Sequence, residues 1–337
     1  MPSFLTRPLG RALAAGAVLV LVGAGWFALQ VDPIFSSAGQ VVIVTVHPGD
    51  SIATIASEMH AKGVIASPLA FRIDALVFGA PVVQPGSYEI AQGSSFAHVK
   101  AVLGLAPNVV VIDVTPGLTL HEVALSVADK MGNAWADSFA RVATNTLTPS
   151  PFARGTSLEG LIGAGQYIVT PGTTPAMLAK RMVDGFVREA ASVALTPTTM
   201  LHGLNAYQLV IATSIVEKEG YYPKNMPRVA RVIFNRLQRG GGLQMDSTVL
   251  YYLGQDGGTV THADLQLHTP YNTYLHPGLT PTPICAVSTI ALSAILHAPP
   301  GDWLYFTLIK KDGTMAFAHT FAQQLVNEKL AQSNGIG

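Results

Sequence analysis

Val46-His47-Pro48-Gly49-Asp50-Ser51-Ile52-Ala53-Thr54-Ile55-Ala56 returns, in altered letters, as Val114-Thr115-Pro116-Gly117-Leu118-Thr119-Leu120-His121-Glu122-Val123-Ala124. Each copy reads as the end of a strand, a Pro-Gly turn, and a Ser or Thr capping an amphipathic helix. A second pair follows in the same order. Gly86-Ser-Tyr88-Glu-Ile90-Ala-Gln-Gly93-Ser-Ser95 is echoed by Gly165-Gln-Tyr167-Ile-Val169-Thr-Pro-Gly172-Thr-Thr174. Strand-turn-helix units occur in any α+β protein, so either pair alone carries little. Two pairs in one order, at offsets of about 70–80 residues, favour a duplicated supersecondary unit and an α+β fold class.

The first copy defines a compact subdomain. Val41–Val46 is β-rich, and Ser51–Lys62 predicts a helix with Ile52, Ile55, Ala56 and Met59 on one face. Pro68–Phe78 predicts a second helix, and Ser87–Ile90 the returning strand. The region 130–157, with Pro149-Ser-Pro151 and Arg154-Gly155, reads as loop-rich. A third block begins near Thr198, where Asn205 is placed to cap a helix running to Glu219.

Upstream, Ala12–Leu29 carries no charge, close to the ~20 residues that cross a bilayer core. Arg7 and Arg11 precede this stretch and Asp32 is the first charge after it. The positive-inside rule then leaves 1–11 as a cytoplasmic tail, 12–30 as a transmembrane helix and the remainder outside. Trp26 and Phe27 would lie near the outer interface. A cleaved signal peptide is the rival, with Ser36-Ser37-Ala38 as its cutting site. The apolar run exceeds the usual ~7–15 residues and that site lies far beyond it, which favours a retained anchor.

The chain has 337 residues, with 20 basic and 20 acidic side chains. Zero net charge and the absence of a like-charge run argue against nucleic acid as a partner. The single cysteine, Cys285, excludes an intramolecular disulfide framework. The histidines show neither an HExxH motif nor paired ligand spacing, so no metal is assigned. Gly240-Gly-Gly242 precedes Leu243-Gln244, where a phosphate loop needs Lys and a hydroxyl, so it reads as a helix stop. No cofactor is expected.

Chemistry concentrates in Ile211-Ala-Thr-Ser-Ile-Val-Glu217-Lys-Glu219-Gly220, an apolar helix ending in carboxylates. Glu217 and Glu219 point about 200° apart, so only one faces a given cleft. Glu219 shares its stripe with Ile211, Ala212, Ile215 and Val216, and Glu217 with the more polar Val210, Thr213 and Ser214. An apolar surround and the negative end of the helix dipole both raise a carboxyl pKa, which makes Glu219 the better general acid. A protonated carboxyl at neutral pH is the proton donor that glycosidic cleavage needs. A solvated helix end is the alternative, and spacing alone does not separate the two.

Downstream, Pro227 begins a further helix containing Asn235 and Arg236. Leu243-Gln244-Met245-Asp246-Ser247-Thr248 and Tyr271-Asn272-Thr273-Tyr274 then mix amides, hydroxyls and aromatics. Rings stack on sugar faces and amides bond to hydroxyls and acetamides, although an ordinary turn uses Asn-Thr as well.

Val216-Glu-Lys-Glu-Gly220, Val232-Ile-Phe-Asn-Arg-Leu237, Leu243–Val249, Tyr271–Tyr274, Gly278-Leu-Thr-Pro-Thr-Pro-Ile284 and Phe317-Ala-His319-Thr-Phe321 occur in one order. With Leu158-Glu-Gly160, this series resembles the endolytic murein transglycosylases of the MltG (YceG-like) family, over nearly the whole chain. Two segments depart from the family's usual letters: Gly163-Ala-Gly-Gln-Tyr167 and Thr280-Pro-Thr282. The resemblance implies a membrane helix, a LysM-like α+β subdomain over 41–110 and an α+β lytic-transglycosylase catalytic domain over 111–337. It implies Glu219 as the catalytic acid. Glu217, Asn235, Gln244, Asp246, Ser247, Tyr271, Asn272, Tyr274 and His319 are then expected to bind substrate.

The implied reaction is endolytic cleavage of MurNAc-GlcNAc bonds in nascent glycan strands, leaving 1,6-anhydro-MurNAc ends. The implied setting is a single pass of the bacterial inner (cytoplasmic) membrane with the catalytic part on the periplasmic side. Glycan polymerases and penicillin-binding proteins are the expected partners. The alternatives are a lysozyme-like muramidase using Asp246 and a non-catalytic peptidoglycan-binding scaffold. His319, between two phenylalanines, also reads as a satisfied buried histidine.

Overall fold

The fold is taken from a computed structural model that describes residues 6–32, 39–145 and 150–336, with side chains from Ala15 onward. The cytoplasmic tail expected at 1–11 lies wholly outside the described side chains, and Ser36-Ser37-Ala38 and Pro149 lie outside the described residues. Mixed α and β elements form two units, one of 1–110 with 168–172 and one of 111–167 with 173–337.

The smaller unit opens with α1 (Thr6–Val31), a single helix over the uncharged stretch. Among the described residues no helix is long and apolar enough to cross a membrane. From Val18 to Val22 the large side chains of α1 are exposed, whereas Phe27 and Val31 pack against the core of the unit.

Next come β1 (Val41–Val46), α2 (Ile52–Ala61), α3 (Pro68–Phe78), β2 (Gly86–Ala91) and α4 (Phe96–Leu103). Strands β1 and β2 pair antiparallel, with Val41 opposite Ala91 and Val46 opposite Gly86. That register places Val44, Val46, Tyr88 and Ile90 on one buried face. Ile55, Ala56 and Met59 of α2 cover it, with Phe71 and Phe96 meeting edge to face at 5.2 Å. Each fully buried side chain of this size contributes about 1.5–3 kcal/mol.

The larger unit runs through β3 (Val110–Val114), α5 (Leu120–Met131), α6 (Asn133–Thr144), β4 (Gly165–Val169, its last two residues in the smaller unit) and α7 (Pro175–Ser192). All four hydroxyl caps of the repeated patterns form. Ser51, Ser95, Thr119 and Thr174 each accept from the backbone N–H three residues on, and Thr119 closes a capping box with Glu122. The expectation of loop over 130–157 is corrected by α6, whose Ala136, Phe139 and Ala143 are buried. Gly132, at φ 84, turns the chain between α5 and α6 where a side chain would be strained.

The departure at Gly163 has a packing reason. A Cβ there would meet the Phe186 backbone nitrogen at 2.5 Å, so α7 lies against this segment and Tyr167 donates to Gly163 O at 2.8 Å.

A tight hairpin of β5 (Met200–Leu201) and β6 (Leu204–Asn205) leads into α8 (Ala206–Glu219). Around α8 stand α9 (Met226–Gln238), α10 (Asp246–Tyr252) and α11 (Thr289–Leu296). An antiparallel pair, β7 (Tyr305–Leu308) and β8 (Met315–Ala318), and α12 (Phe321–Ser333) complete the unit. Every residue from Leu209 to Val216 is buried, as a helix apolar nearly all round must be. The expected polar stripe is therefore corrected. Thr213 and Ser214 are fully buried and return their hydroxyls to Leu209 O and Ile211 O.

Candidate active site

Asn205 caps α8 and exchanges hydrogen bonds with Gln208, so the helix starts at a defined residue. It ends 14 residues later at Glu219, with Gly220 as its C-cap. Gly220 is needed for space, because a Cβ would come within 2.5 Å of Met226 Cγ and 2.7 Å of Val216 O. The chain then turns through Tyr221 at φ 46, a left-handed conformation that costs a non-glycine residue about 1–2 kcal/mol.

The two carboxylates diverge as their spacing requires. Glu217 Oε2 accepts from Ser288 N–H at 2.8 Å and from its hydroxyl at 2.7 Å, at the N-terminus of α11. It is a tie between helices. Glu219 faces a cavity of about 410 Å³ whose lining includes Thr119, Asp246, Ser247, Tyr251 and Ile284. Ser247 Oγ donates to Glu219 Oε1 at 2.7 Å, supported by a long contact from its N–H at 3.4 Å. Oε2 has no hydrogen-bond partner among the described residues and is not sealed from solvent. Burial pushes the Glu219 carboxyl above its ordinary range, against the Ser247 hydrogen bonds, and the Asp246 charge adds to the rise.

Asp246 and Ser247 open α10, and the Tyr271–Tyr274 loop holds that helix start in place. Gln244 and Met245 donate their N–H groups to Thr273 O and Oγ1 at 3.0 and 3.1 Å, and Thr248 Oγ1 lies 3.0 Å from Thr273 Oγ1. Asn272 is fully buried; it bonds Leu265 O and Leu267 O at 3.0 Å and accepts from Tyr274 N–H. Tyr274 donates its hydroxyl to Asp246 Oδ1 at 2.6 Å. Of the residues nominated from sequence, Glu219, Asp246, Ser247 and Tyr274 are thus drawn together. Asn272 acts beneath them as scaffold.

The others lie apart. Tyr271 bonds Thr282 at 2.9 Å, and its ring meets Tyr251 at 5.1 Å. Asn235 donates to Gly301 O and Trp303 O, fastening α9 to the segment before β7. Gln244 is exposed, at φ 51. His319 is exposed rather than buried, with Nδ1 2.6 Å from Asp302 Oδ1. The turn between β8 and α12 carries it to the surface despite its two phenylalanine neighbours.

Two site residues escaped sequence reasoning. Tyr251 lines the cavity four residues after Ser247, one helical turn along the same face, a spacing that would have found it. Its hydroxyl donates to Glu159 Oε2 at 3.1 Å, and Glu159 also accepts Leu120 N–H at 3.0 Å. Glu159 is buried and pushed up to about 7 by that burial. An acid within Leu158–Ile162, otherwise apolar or glycine, was its signal. At the mouth, Lys218 Nζ meets Asp256 Oδ1 at 2.6 Å. A larger cavity, about 760 Å³, opens at the start of α8, but no carboxylate lines it. The carboxylates Glu219 and Asp246 line the smaller cavity.

The YceG-like family pattern matches residues 44–329. The sequence is 26% identical over 310 residues to the Bacillus subtilis (strain 168) protein named endolytic murein transglycosylase, covering 87% of this chain and 85% of that protein. Proteins of the same name from Streptococcus pneumoniae D39 and R6 are 24% and 23% identical. Those matches cover 89% of this chain and 61% of each relative, so the chain spans about three fifths of the pneumococcal proteins. Among solved structures, a YceG-like protein from Listeria monocytogenes aligns with a TM-score of 0.56 at 22% identity, over 86% of this chain and 99% of the other. That likeness concerns the fold.

Proposed function

The chain belongs to the YceG-like family, and from that premise we propose that it is a peptidoglycan lytic transglycosylase, a carbon-oxygen lyase, with Glu219 as acid and then base. One observation carries the reading. Ser247 occupies Oε1 of a carboxyl whose pKa is raised, leaving Oε2 to hold the proton at an open cavity.

Glu219 Oε2–H protonates the oxygen between MurNAc and GlcNAc, and the C1–O bond breaks. The 2-acetamido group of the sugar stabilises the oxocarbenium-like state, as in substrate-assisted glycosidases. Glu219, now ionised, takes the proton of the MurNAc C6 hydroxyl while O6 closes on C1. The product is a 1,6-anhydro end, and the enzyme returns to its starting protonation state. No water enters. Ser247 holds the carboxyl through both steps, and Asp246, fixed by Tyr274, bonds sugar hydroxyls with its remaining oxygen.

In this reading residues 12–30 span the bacterial inner membrane once and the catalytic unit works on the outer side. The subdomain at 41–110 acts as a LysM-like module. A tethered site meets newly polymerised strands first, which makes glycan polymerases and penicillin-binding proteins the natural partners. The uncharged stretch Ala12–Leu29 within α1 and the exposed apolar side chains of Val18 to Val22 support the anchor. Extraction of membranes with alkaline carbonate tests it: the protein stays with the lipid, and release into the wash contradicts the anchor.

Mass spectrometry of the cleavage products tests the chemistry. Transglycosylation gives ends lighter by one water than hydrolysis does. A muramidase, with Asp246 holding water, gives the heavier ends, and a binding scaffold gives neither.

A further inference from the structure

We propose that the cavity at the start of α8 binds a carboxylate-bearing peptide and, resting on the function proposed above, that this is the peptide carried by the glycan strand. The cavity is separate from the acid. Helix α8 has 14 residues and spans about 21 Å, with Asn205 and Gln208 at one end and Glu219 at the other.

Its volume of about 760 Å³ suits an extended ligand far larger than a single anion. Its polar lining offers an excess of donors. Arg154 has no partner among the described residues, and Arg231 uses Nε and Nη2 on Pro299 O and Ala298 O, leaving Nη1. The capping box consumes the oxygens of Asn205 and Gln208 and leaves both amide NH₂ groups without a partner among the described residues. Gln238 stands on the same wall, with no Asp or Glu. The unspent amide N–H groups, the guanidinium fork of Arg154 and the remaining Nη1 of Arg231 call for a ligand rich in acceptors and negatively charged. Peptide carbonyls and carboxylates provide both, and Leu237, Leu279 and Pro281 provide apolar surface for aliphatic side chains.

The hairpin above the cavity is strained in a way consistent with this role. Its two loop residues, His202 at φ 50 and Gly203 at φ 80, form a turn that favours Asn-Gly. Having His in the first position brings an imidazole over the Phe234 ring, 4.5 Å between centroids, on the cavity wall. Strain of this kind clusters at binding sites.

Calorimetric titration of the wild-type protein and Arg154→Glu tests the proposal, using the free peptide released from peptidoglycan by an amidase, the same peptide with its carboxylates amidated, and inorganic phosphate. The free peptide is expected to bind wild type and to bind Arg154→Glu about tenfold or more weakly, as loss of one charge-assisted hydrogen bond predicts. Amidation should weaken binding similarly. Arg154→Glu should cleave peptide-stripped glycan at the wild-type rate and lose any preference for peptide-bearing strands. Failure of the free peptide to bind wild type overturns the proposal. Equal binding of the variant or of the amidated peptide, or phosphate binding as tight as the peptide, does the same. The titration reads the cavity whether or not the protein cleaves glycan, so binding without cleavage removes the proposed reaction and leaves the peptide site standing.

Discussion

Ser247 Oγ lies 2.7 Å from Glu219 Oε1 and is the one side-chain donor that the acid receives among the described residues. A donor stabilises the ionised carboxylate, so Ser247 restrains the rise in pKa that burial imposes. Ser247→Ala should therefore raise the Glu219 pKa further. The acid form then survives to higher pH, and the alkaline limb of the activity profile moves upward. Maximal activity should fall, because the base form needed to close the anhydro ring loses its support. A pH–rate profile of cleavage checks the direction, and an alkaline limb that moves down or stays fixed would contradict the role given to Ser247.

Glu217 and Glu219 share a helix end but should respond differently to substitution. Glu217→Ala removes two hydrogen bonds at the N-terminus of α11 and should cost about 1–2 kcal/mol of stability. Cleavage by the folded variant should stay near wild type. Urea unfolding beside initial rates separates the two effects.

Asp246→Asn keeps the contact with Tyr274 while removing a charge beside the acid. In a transglycosylase the rate should change and the product should not. Product mass decides, since a variant that shifts the ends between hydrolysed and anhydro forms would assign Asp246 to a water.

Glu159 gives the protein a pH-dependent stability. Its carboxyl is pushed up to about 7 by burial, so the folded chain keeps a proton that the unfolded chain releases above its ordinary value of 4.5. The stabilisation is complete below that ordinary value and is lost as pH rises through about 7, a change of about 3 kcal/mol. Glu189, half-buried and also pushed up to about 7, acts in the same direction. Unfolding midpoints should fall between pH 5 and 8, and Glu159→Gln should reduce that slope.

Local signals carried the reading furthest where chemistry acts within a few residues. Ser51, Ser95, Thr119, Thr174 and Asn205 all cap the helices that their side chains announce, because capping is a contact over three residues. The raised pKa of Glu219 was legible for the same reason, from the apolar residues on its own stripe. Partners distant in sequence were not legible. Nothing in Tyr251 declares that its hydroxyl will reach Glu159, 92 positions away. Nothing in Asn272 separates an amide hydrogen-bonded to sugar from one buried as scaffold. Helix α6 was hidden by the turn-forming residues that follow it, although its apolar spacing was present. His319 also read as a buried histidine because two phenylalanines flank it, yet it stands past the end of β8, in the turn before α12, and is exposed.

The most direct measurement is product analysis on uncrosslinked glycan, with wild type and Glu219→Gln compared at equal folded concentration. Wild type should yield 1,6-anhydro-MurNAc ends, and the Gln variant should lose at least about a hundredfold in rate, as removal of a general acid does. A Gln variant that still forms anhydro ends at the wild-type rate would contradict the assignment of Glu219.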